Sequence, residues 1–395
     1  MKKEFPKNFL WGTATAAHQI EGNNKNSDWW YWEQNKDSDR KYPLEPSGEA
    51  CDSYNRYEID FDYAKACFNN SIRISIEWAR IEPSPGHFDN KEISHYRKVL
   101  KAAKDRGLKT FVTLHHFTNP KWFADKKSWL NPKAPRIFTK YAEKAAQEFD
   151  DLIDFYITIN EPQVIGLVSY TLGIWPPQKR NIFLSFLVQL NLMRAHSKAY
   201  KEIRKESQKP IGIVKNINWF EADKNTGVLD KITAWFLYFL NNGFFLRPIK
   251  RNLDFIGLNY YFTNRIKNLK RKNVDDIVSD LNWWINPKGL ENILVNLKKY
   301  KLPIYITENG LADSKDSLRI RFIKSMLTSC WNAIQKGVDL RGYLHWTLID
   351  NYEWHHGFWP RFGLIEIDRK NNLERIPRKS FYYYARICKN NEIDV

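Results

Sequence analysis

The sequence predicts an α/β fold, a single-domain (β/α)8 TIM barrel spanning residues 1–395. Three observations predict it. Short apolar, β-branched runs alternate with longer amphipathic stretches along the whole chain, the pattern of parallel strands joined by crossover helices. The strand-like runs number eight, which is the count that closes such a barrel. Two of them, far apart in the chain, end in glutamate: Phe155-Tyr156-Ile157-Thr158-Ile159 leads to Glu161, and Pro303-Ile304-Tyr305-Ile306-Thr307 leads to Glu308. A closed parallel barrel gathers all its strand ends on one face, so it brings those two side chains together.

Taken in order, the expected strands are residues 10–17, 71–76, 110–115, 155–159, 211–217, 255–260, 304–307 and 342–347. Helical periodicity places helices over 94–106, 136–149, 184–203, 318–336 and 378–387. Segments 27–53 and 262–282 read as loops around the mouth. No Pro/Gly/Ser linker and no short-period repeat divides the chain. The N-terminus superficially imitates a leader peptide, with Met1-Lys2-Lys3 before Phe9-Leu10-Trp11. Asn8, Thr13 and Thr15 interrupt its apolar run, and His18-Gln19-Ile20-Glu21-Gly22 stands where a cleavage site would fall, so a first strand is the expectation.

Composition narrows the function. Hydrophobic residues make up 43 % of the 395, enough for a large core. The 16 tryptophans are a first hint of sugar binding, because flat aromatic faces stack on sugar rings. The net charge of +17 raises nucleic-acid binding as an alternative. The densest basic run, residues 267–272, sits in no recognisable nucleic-acid motif and reads as solvated surface. Cys51, Cys67, Cys330 and Cys388 lack metal-ligand spacing and read as free thiols of a reducing compartment. No run approaches the ~18 apolar residues of a membrane span. The expectation is a soluble, cytoplasmic protein with no nucleic-acid or membrane partner, its oligomeric state left open.

Two carboxylates facing each other across a barrel mouth are the minimum apparatus for splitting a glycosidic bond. Alone, Asn160-Glu161-Pro162 would read as a helix cap followed by a first-turn proline. Its partner Thr307-Glu308-Asn309-Gly310 favours chemistry. His115 and His116 point to opposite faces of a strand and converge poorly on an ion. The cluster His345, His355 and His356 raises the same question. No metal site and no phosphate-binding glycine loop is expected, and no cofactor.

Several motifs carry a resemblance. Phe5-Pro6-Lys7-Asn8-Phe9-Leu10-Trp11-Gly12-Thr13-Ala14-Thr15-Ala16, Gln19-Ile20-Glu21-Gly22, Thr158-Ile159-Asn160-Glu161-Pro162, Ile306-Thr307-Glu308-Asn309-Gly310 and the block Trp346 to Phe362 occur in one order over residues 5–384. The chain resembles glycoside hydrolase family 1, the β-glucosidase family. The resemblance implies a retaining β-glycosidase acting on a small β-glycoside or oligosaccharide, with Glu308 as nucleophile and Glu161 as acid/base. It assigns Arg73, Asn160, Asn259 and Tyr261 to their support, since a cation and a hydroxyl donor keep a carboxylate ionised and aimed. It assigns Gln19, His116, Asn160, Glu353, Trp354 and Phe362 to the sugar, Trp346 to the platform beneath it, and Trp284 to the leaving group, where Trp175 and Trp283 are further candidates.

Glu353 separates branches of that family. Members acting on 6-phosphorylated sugars lack it, so unphosphorylated β-D-glycosides are expected. The departures from the family pattern are His116-Phe117-Thr118-Asn119-Pro120, Gln163 after the Asn-Glu-Pro triplet, and His18. They leave glycone preference and the near wall of the leaving-group site open. Glu77 and Asp350 read as supporting or rim carboxylates. Transglycosylation and a catalytically idle sugar-binding barrel remain as alternatives.

Overall fold

A closed barrel of eight parallel strands stands at the centre of the structure, with each strand hydrogen-bonded to the next in sequence and the eighth to the first. The strands are β1 Leu10–Ala14, β2 Ser71–Ser75, β3 Lys109–His115, β4 Phe155–Asn160, β5 Ile211–Asn216, β6 Phe255–Asn259, β7 Ile304–Asn309 and β8 Leu340–Trp346. The structure, a computed structural model, describes residues 2–34, 45–223, 226–239, 242, 244–271 and 277–394. Parts of the two expected mouth loops, 35–44 and 272–276, lie outside the described residues, as does Lys272 of the basic run.

One main helix follows each strand: α1 Ser53–Ala66, α2 Asn90–Asp105, α3 Ala134–Phe149, α4 Ile182–Glu206, α5 Val228–Tyr238, α6 Pro287–Leu297, α7 Arg319–Gln335 and α8 Lys379–Asn390. Their starts are chemically marked. The Asp89 carboxylate accepts from the amides of Lys91 and Glu92 at the start of α2, and the Asn181 side chain accepts from Phe183 and Leu184 at the start of α4. In α2 the buried residues Ile93, Tyr96, Leu100 and Ala103 recur at helical spacing and form the face laid on the barrel.

The strand expectations hold, with shifted ends. β1 stops at Ala14 rather than running to residue 17, because Ala17–Ile20 turns into a short helix that brings Gln19 over the mouth. Helices α1, α5 and α6 were not anticipated; α1 has almost no periodicity of charge and apolarity to read. At the chain ends Lys2–Glu4 pairs antiparallel with Glu392–Asp394, and Ile365–Asp368 forms a hairpin with Glu374–Pro377. After β5 and β6, Trp219–Ala222, Thr263–Lys267 and Lys270–Arg271 build a small three-stranded sheet beside the mouth.

An aromatic layer closes the barrel floor. Phe111 and Phe155 stack at 4.1 Å, and Phe255 and Tyr305 meet Phe111 edge-on at 6.3 and 5.3 Å. These side chains fill the lower part of the barrel interior. Phe111 is fully buried. Truncating it in Phe111→Ala is expected to cost about 3–5 kcal/mol, read as a lowered denaturation midpoint in urea; an unchanged midpoint would mean the floor is not packed as described.

Candidate active site

The polar mouth is built from strand ends. Both glutamate-bearing strands carry a register irregularity just before the glutamate. On β4 the pairing moves from Ile157↔Gly212 to Asn160↔Val214, three residues against two. On β7 it moves from Ile306↔Leu258 to Glu308↔Asn259, two against one. Such bulges redirect side chains at barrel rims. Consecutive residues of β7 therefore both reach the mouth network: the Thr307 hydroxyl donates to Asn259 Oδ1 at 2.7 Å, while Glu308 meets Arg73 and Tyr261. Glu161 adopts a left-handed conformation (φ 44°, ψ 58°). The following Pro162 disfavours the right-handed helical region for it, and a strained backbone of this kind is typical of functional sites.

Arg73 is the hub. It is fully buried on β2, and its guanidinium donates to Glu308 Oε1, to Asn160 Oδ1 at 2.8 Å and to the Thr113 hydroxyl at 3.0 Å. Tyr261 donates its hydroxyl to Glu308 Oε2 at 2.6 Å. Burial and the nearby Glu308 and Glu161 charges hold the Tyr261 phenol well above its usual range, so it stays a donor. Glu161 Oε1 accepts from Asn259 Nδ2 at 2.7 Å and from Asn216 Nδ2 at 3.0 Å. Asn259 is the strand partner of Glu308, and its carboxamide joins Glu161 to Thr307, the residue before Glu308, so the two glutamates belong to a single cluster. Burial raises the Glu161 carboxyl to about 7, the Glu308 charge adds to this, and the two asparagine donors oppose it.

A cavity of about 240 Å³ lies over this cluster, with Gln19, His116, Glu161, Glu308, Trp346, Glu353 and Trp354 among its walls. Among the described residues, four buried polar atoms in the walls have no partner: Gln19 Oε1, His116 Nδ1, Glu353 Oε2 and, from Asn218 in the same lining, Oδ1. The other end of the Gln19 amide is anchored, since Nε2 donates to the Tyr352 carbonyl at 2.8 Å. Burial, then the Arg73 charge, keeps His116 well below the usual histidine range, hence neutral. Burial, then the charges of Glu308 and Glu161, raises Glu353 to about 8. The Trp346 and Trp354 rings flank His116, near-parallel to it at 6.2 and 6.0 Å. Gly310 lets Trp346 close in, for a Cβ there would stand 1.7 Å from the Trp346 carbonyl oxygen.

The family model for "Glycosyl hydrolase family 1" matches residues 1–251 and 245–393. The chain belongs to this family. It is 32 % identical to β-glucosidase A of Thermotoga maritima over 99 % of each chain, and 31 % identical to a β-galactosidase of Pyrococcus woesei over 98 % of each. Among solved structures, a β-glycosidase from Pyrococcus horikoshii matches at a TM-score of 0.93 and 36 % identity, covering 100 % of this chain and 97 % of that one. A Thermotoga maritima β-glucosidase in complex with glucoimidazole matches at 0.93 and 31 %, covering 98 % of this chain and 99 % of that one. The protein is a retaining β-glycosidase with a (β/α)8 barrel fold, and its substrate is a small-molecule glycoside.

In this family 1 glycosidase the structure gathers most of the expected residues and displaces two. Trp284 is not on the cleft: it lies under the Arg265 guanidinium at 4.1 Å and bridges to Val278. Trp283 lines the cleft instead, because neighbouring residues of an extended segment face opposite ways. Phe362 stands behind the wall, with its ring 6.1 Å from both Tyr261 and Trp283. Asn160 is fully buried between Arg73 and His116. Trp175 lines the cleft, hydrogen-bonded through Nε1 to His355 at 2.9 Å.

The supporting carboxylates sit where expected. Glu77 caps the short helix after β2 and accepts from the Thr118 hydroxyl at 2.8 Å, and Asp350 is paired with Arg378 at 2.7 Å. His18 contacts Glu33 at 2.8 Å and lies flat against Trp354 at 5.8 Å. Among the described residues no group of three or more His, Cys, Asp or Glu is arranged to hold a metal ion. Sequence reasoning missed Asn216, whose signal was its position at the end of a barrel strand beside Glu161.

The electrostatics give a direct check. A carbon-13 carboxyl titration should reveal a buried glutamate titrating near pH 7 that disappears in Glu161→Gln. In Glu308→Gln the same resonance should titrate at lower pH, because the neighbouring charge that raises it is gone. An unmoved resonance would separate the two carboxylates.

Proposed function

We infer that Glu308 is the nucleophile and Glu161 the acid/base of double displacement on unphosphorylated β-D-glycosides. The observation that carries this reading is the set of buried polar atoms without a partner among the described residues, Gln19 Oε1, His116 Nδ1, Glu353 Oε2 and Asn218 Oδ1, around a cavity that also holds both glutamates. Leaving a buried polar atom unsatisfied costs about 1–3 kcal/mol, and the hydroxyls of one sugar ring supply the missing partners. In the first step a Glu308 oxygen attacks the anomeric carbon, while protonated Glu161 gives its proton to the departing oxygen. In the second, Glu161 as carboxylate takes a proton from water, which attacks the same carbon and releases Glu308.

The charges suit this sequence. With its carboxyl near 7, about half of Glu161 carries a proton at neutral pH, so the acid form is available. Forming the glycosyl ester neutralises Glu308, which removes one cause of the upward shift, and Glu161 then becomes the base. Asn160, held by Arg73 and His116, is suited to the sugar 2-hydroxyl, and Trp346 to the ring face. Val164, Leu167, Val168, Phe262 and Trp283 line the remainder of the cleft and suit an apolar or aromatic leaving group.

The case against 6-phosphorylated sugars takes a different form from simple repulsion. With its carboxyl near 8, Glu353 is largely protonated at pH 7 before a sugar arrives. No lysine or arginine is among the described residues lining the cleft to receive a phosphate. We further propose that the whole chain is one catalytic domain and works in the cytoplasm, a location suited to its four free, buried cysteines.

Glu308→Gly is expected to lower kcat on nitrophenyl glycosides by at least about 10³-fold, with azide restoring part of the turnover as a glycosyl azide; near-normal activity would remove Glu308 from the role. Glu161→Gln should cost about 10²–10⁴-fold on glycosides with alcohol leaving groups and far less on activated aryl glycosides. Equal losses would count against an acid role. For the wild type, activity on the alcohol glycosides should fall as pH rises past about 7, where Glu161 loses its proton. Glu353→Ser should raise the kcat/KM ratio of 6-phosphorylated over plain substrate, and an unchanged ratio would show that Glu353 does not discriminate.

A further inference from the structure

Helix α5 is apolar on both sides. Its inner face, through Ala234, packs on Phe220 and Ile266 of the small sheet beside the mouth. Its outer face carries Val228, Leu229, Ile232, Trp235, Phe236 and Phe239, all at least half exposed, Trp235 at 66 %. These positions follow the i, i+1, i+4, i+7, i+8, i+11 rhythm of one helical stripe. Single exposed apolar residues need no explanation, whereas a contiguous stripe of six does. A second such surface opens α4, where Ile182, Phe183 and Leu187 are exposed, Phe183 at 79 %.

Both surfaces are carried by helices packed on segments that continue from the cleft wall. The segment after Glu161 packs closely on α4, since a Cβ on Gly166 would lie 2.9 Å from the Ser185 hydroxyl and 3.0 Å from Gln189. The next residues, Leu167 and Val168, line the cleft. The sheet beneath α5 begins directly after the cleft residues Asn218 and Phe262. The charges beside these apolar residues are predominantly basic; Glu202 and Glu206 lie at the far end of α4, and Glu221 and Asp223 of the underlying sheet face Arg265 at 3.7 and 3.9 Å. Across 179–201 and 228–251 the exposed charged residues are all basic, Lys179, Arg180, Arg194, Lys198, Lys231 and Lys250 among them. Within those two spans the one acid, Asp230, is buried and accepts from the amides of Asn268 and Leu269 at 3.0 and 2.8 Å.

We propose that these surfaces dock the enzyme on an anionic lipid surface, with the α5 stripe and the start of α4 sunk into the headgroup layer. An apolar helix face with tryptophan, bordered by cations, suits a helix lying in that interface. Phosphate headgroups complement the basic border. A second copy of the chain fits less well, because self-docking about a two-fold axis would set the same cations against each other. Among the described residues no helix is long and apolar enough to cross a membrane, so the contact is peripheral. The expectation of no membrane partner rested on the absence of a span, and a surface stripe is a different property. Docked this way, the cleft opens beside the bilayer, where glycosides with apolar tails reside.

The test is sedimentation with phosphatidylglycerol vesicles against phosphatidylcholine vesicles. The wild type should bind the anionic vesicles and release as salt is added. Combined Phe183→Ser, Trp235→Ser and Phe236→Ser should weaken binding by about tenfold or more, with kcat/KM on a soluble nitrophenyl glycoside unchanged to within about twofold. Lys198→Glu and Lys231→Glu, which leave the apolar stripe intact, should each weaken it by about fivefold or more. Wild-type protein that ignores anionic vesicles, or serine and glutamate variants that bind as tightly as wild type, would overturn the proposal. A lipid-free dimer seen in sedimentation velocity and abolished by the serine substitutions would overturn it too, assigning the face to a second copy.

Discussion

The interaction on which the site depends is the buried contact between Arg73 and Glu308. Both side chains are almost wholly removed from solvent, and an ion pair in such a place is tolerable only when its remaining donors and acceptors are satisfied. Here they are. The same guanidinium reaches Asn160 and Thr113, and Tyr261 takes the second oxygen of Glu308. Because Arg73 lies on β2, Asn160 on β4 and Glu308 on β7, one planar cation ties three separated strands together at the level where the sugar is expected. Replacing either partner would strand the other in a low-dielectric interior.

Around that pair, burial does most of the electrostatic tuning. It drives Glu161 to about 7 and Glu353 to about 8, and it keeps His116 neutral. Each departure makes the pocket uncomfortable for charge and receptive to hydroxyl donors and acceptors. The two strand bulges and the left-handed Glu161 serve the same end. They spend regular pairing at the rim to aim side chains that a straight strand would turn aside. The aromatic floor below, Phe111 with Phe155, Phe255 and Tyr305, supplies the rigid base that such a rim requires.

Much of this was legible in the residues. Eight apolar runs announced the barrel, and the glutamates after two of them announced the chemistry, because strand order alone carries both to the same face. The resemblance of the motifs to family 1 then named Arg73, Asn160 and Tyr261, all of which the structure draws to the two carboxylates. What failed was finer. Trp284 and Trp283 are neighbours with the same side chain, and only the local extended pairing with Val278 decides which faces the cleft. Asn216 sits in an unremarkable strand until its amide is found 3.0 Å from Glu161. The α5 stripe reads as ordinary core in the sequence, since apolar periodicity says that a helix buries a face but not that a second face is left outside.

The sequence by itself determined the fold class and the family and singled out the two glutamates as candidates, because these rest on periodicity and on motifs carried within short segments. Tertiary structure decided the rest: the bulges that aim Glu161 and Glu308, the proton affinities of the mouth, the tryptophan on the cleft wall and the apolar surface of α5. All four depend on what surrounds a residue rather than on what precedes it in the chain, and burial, charge and exposure exist only once distant strands and helices have been brought into contact.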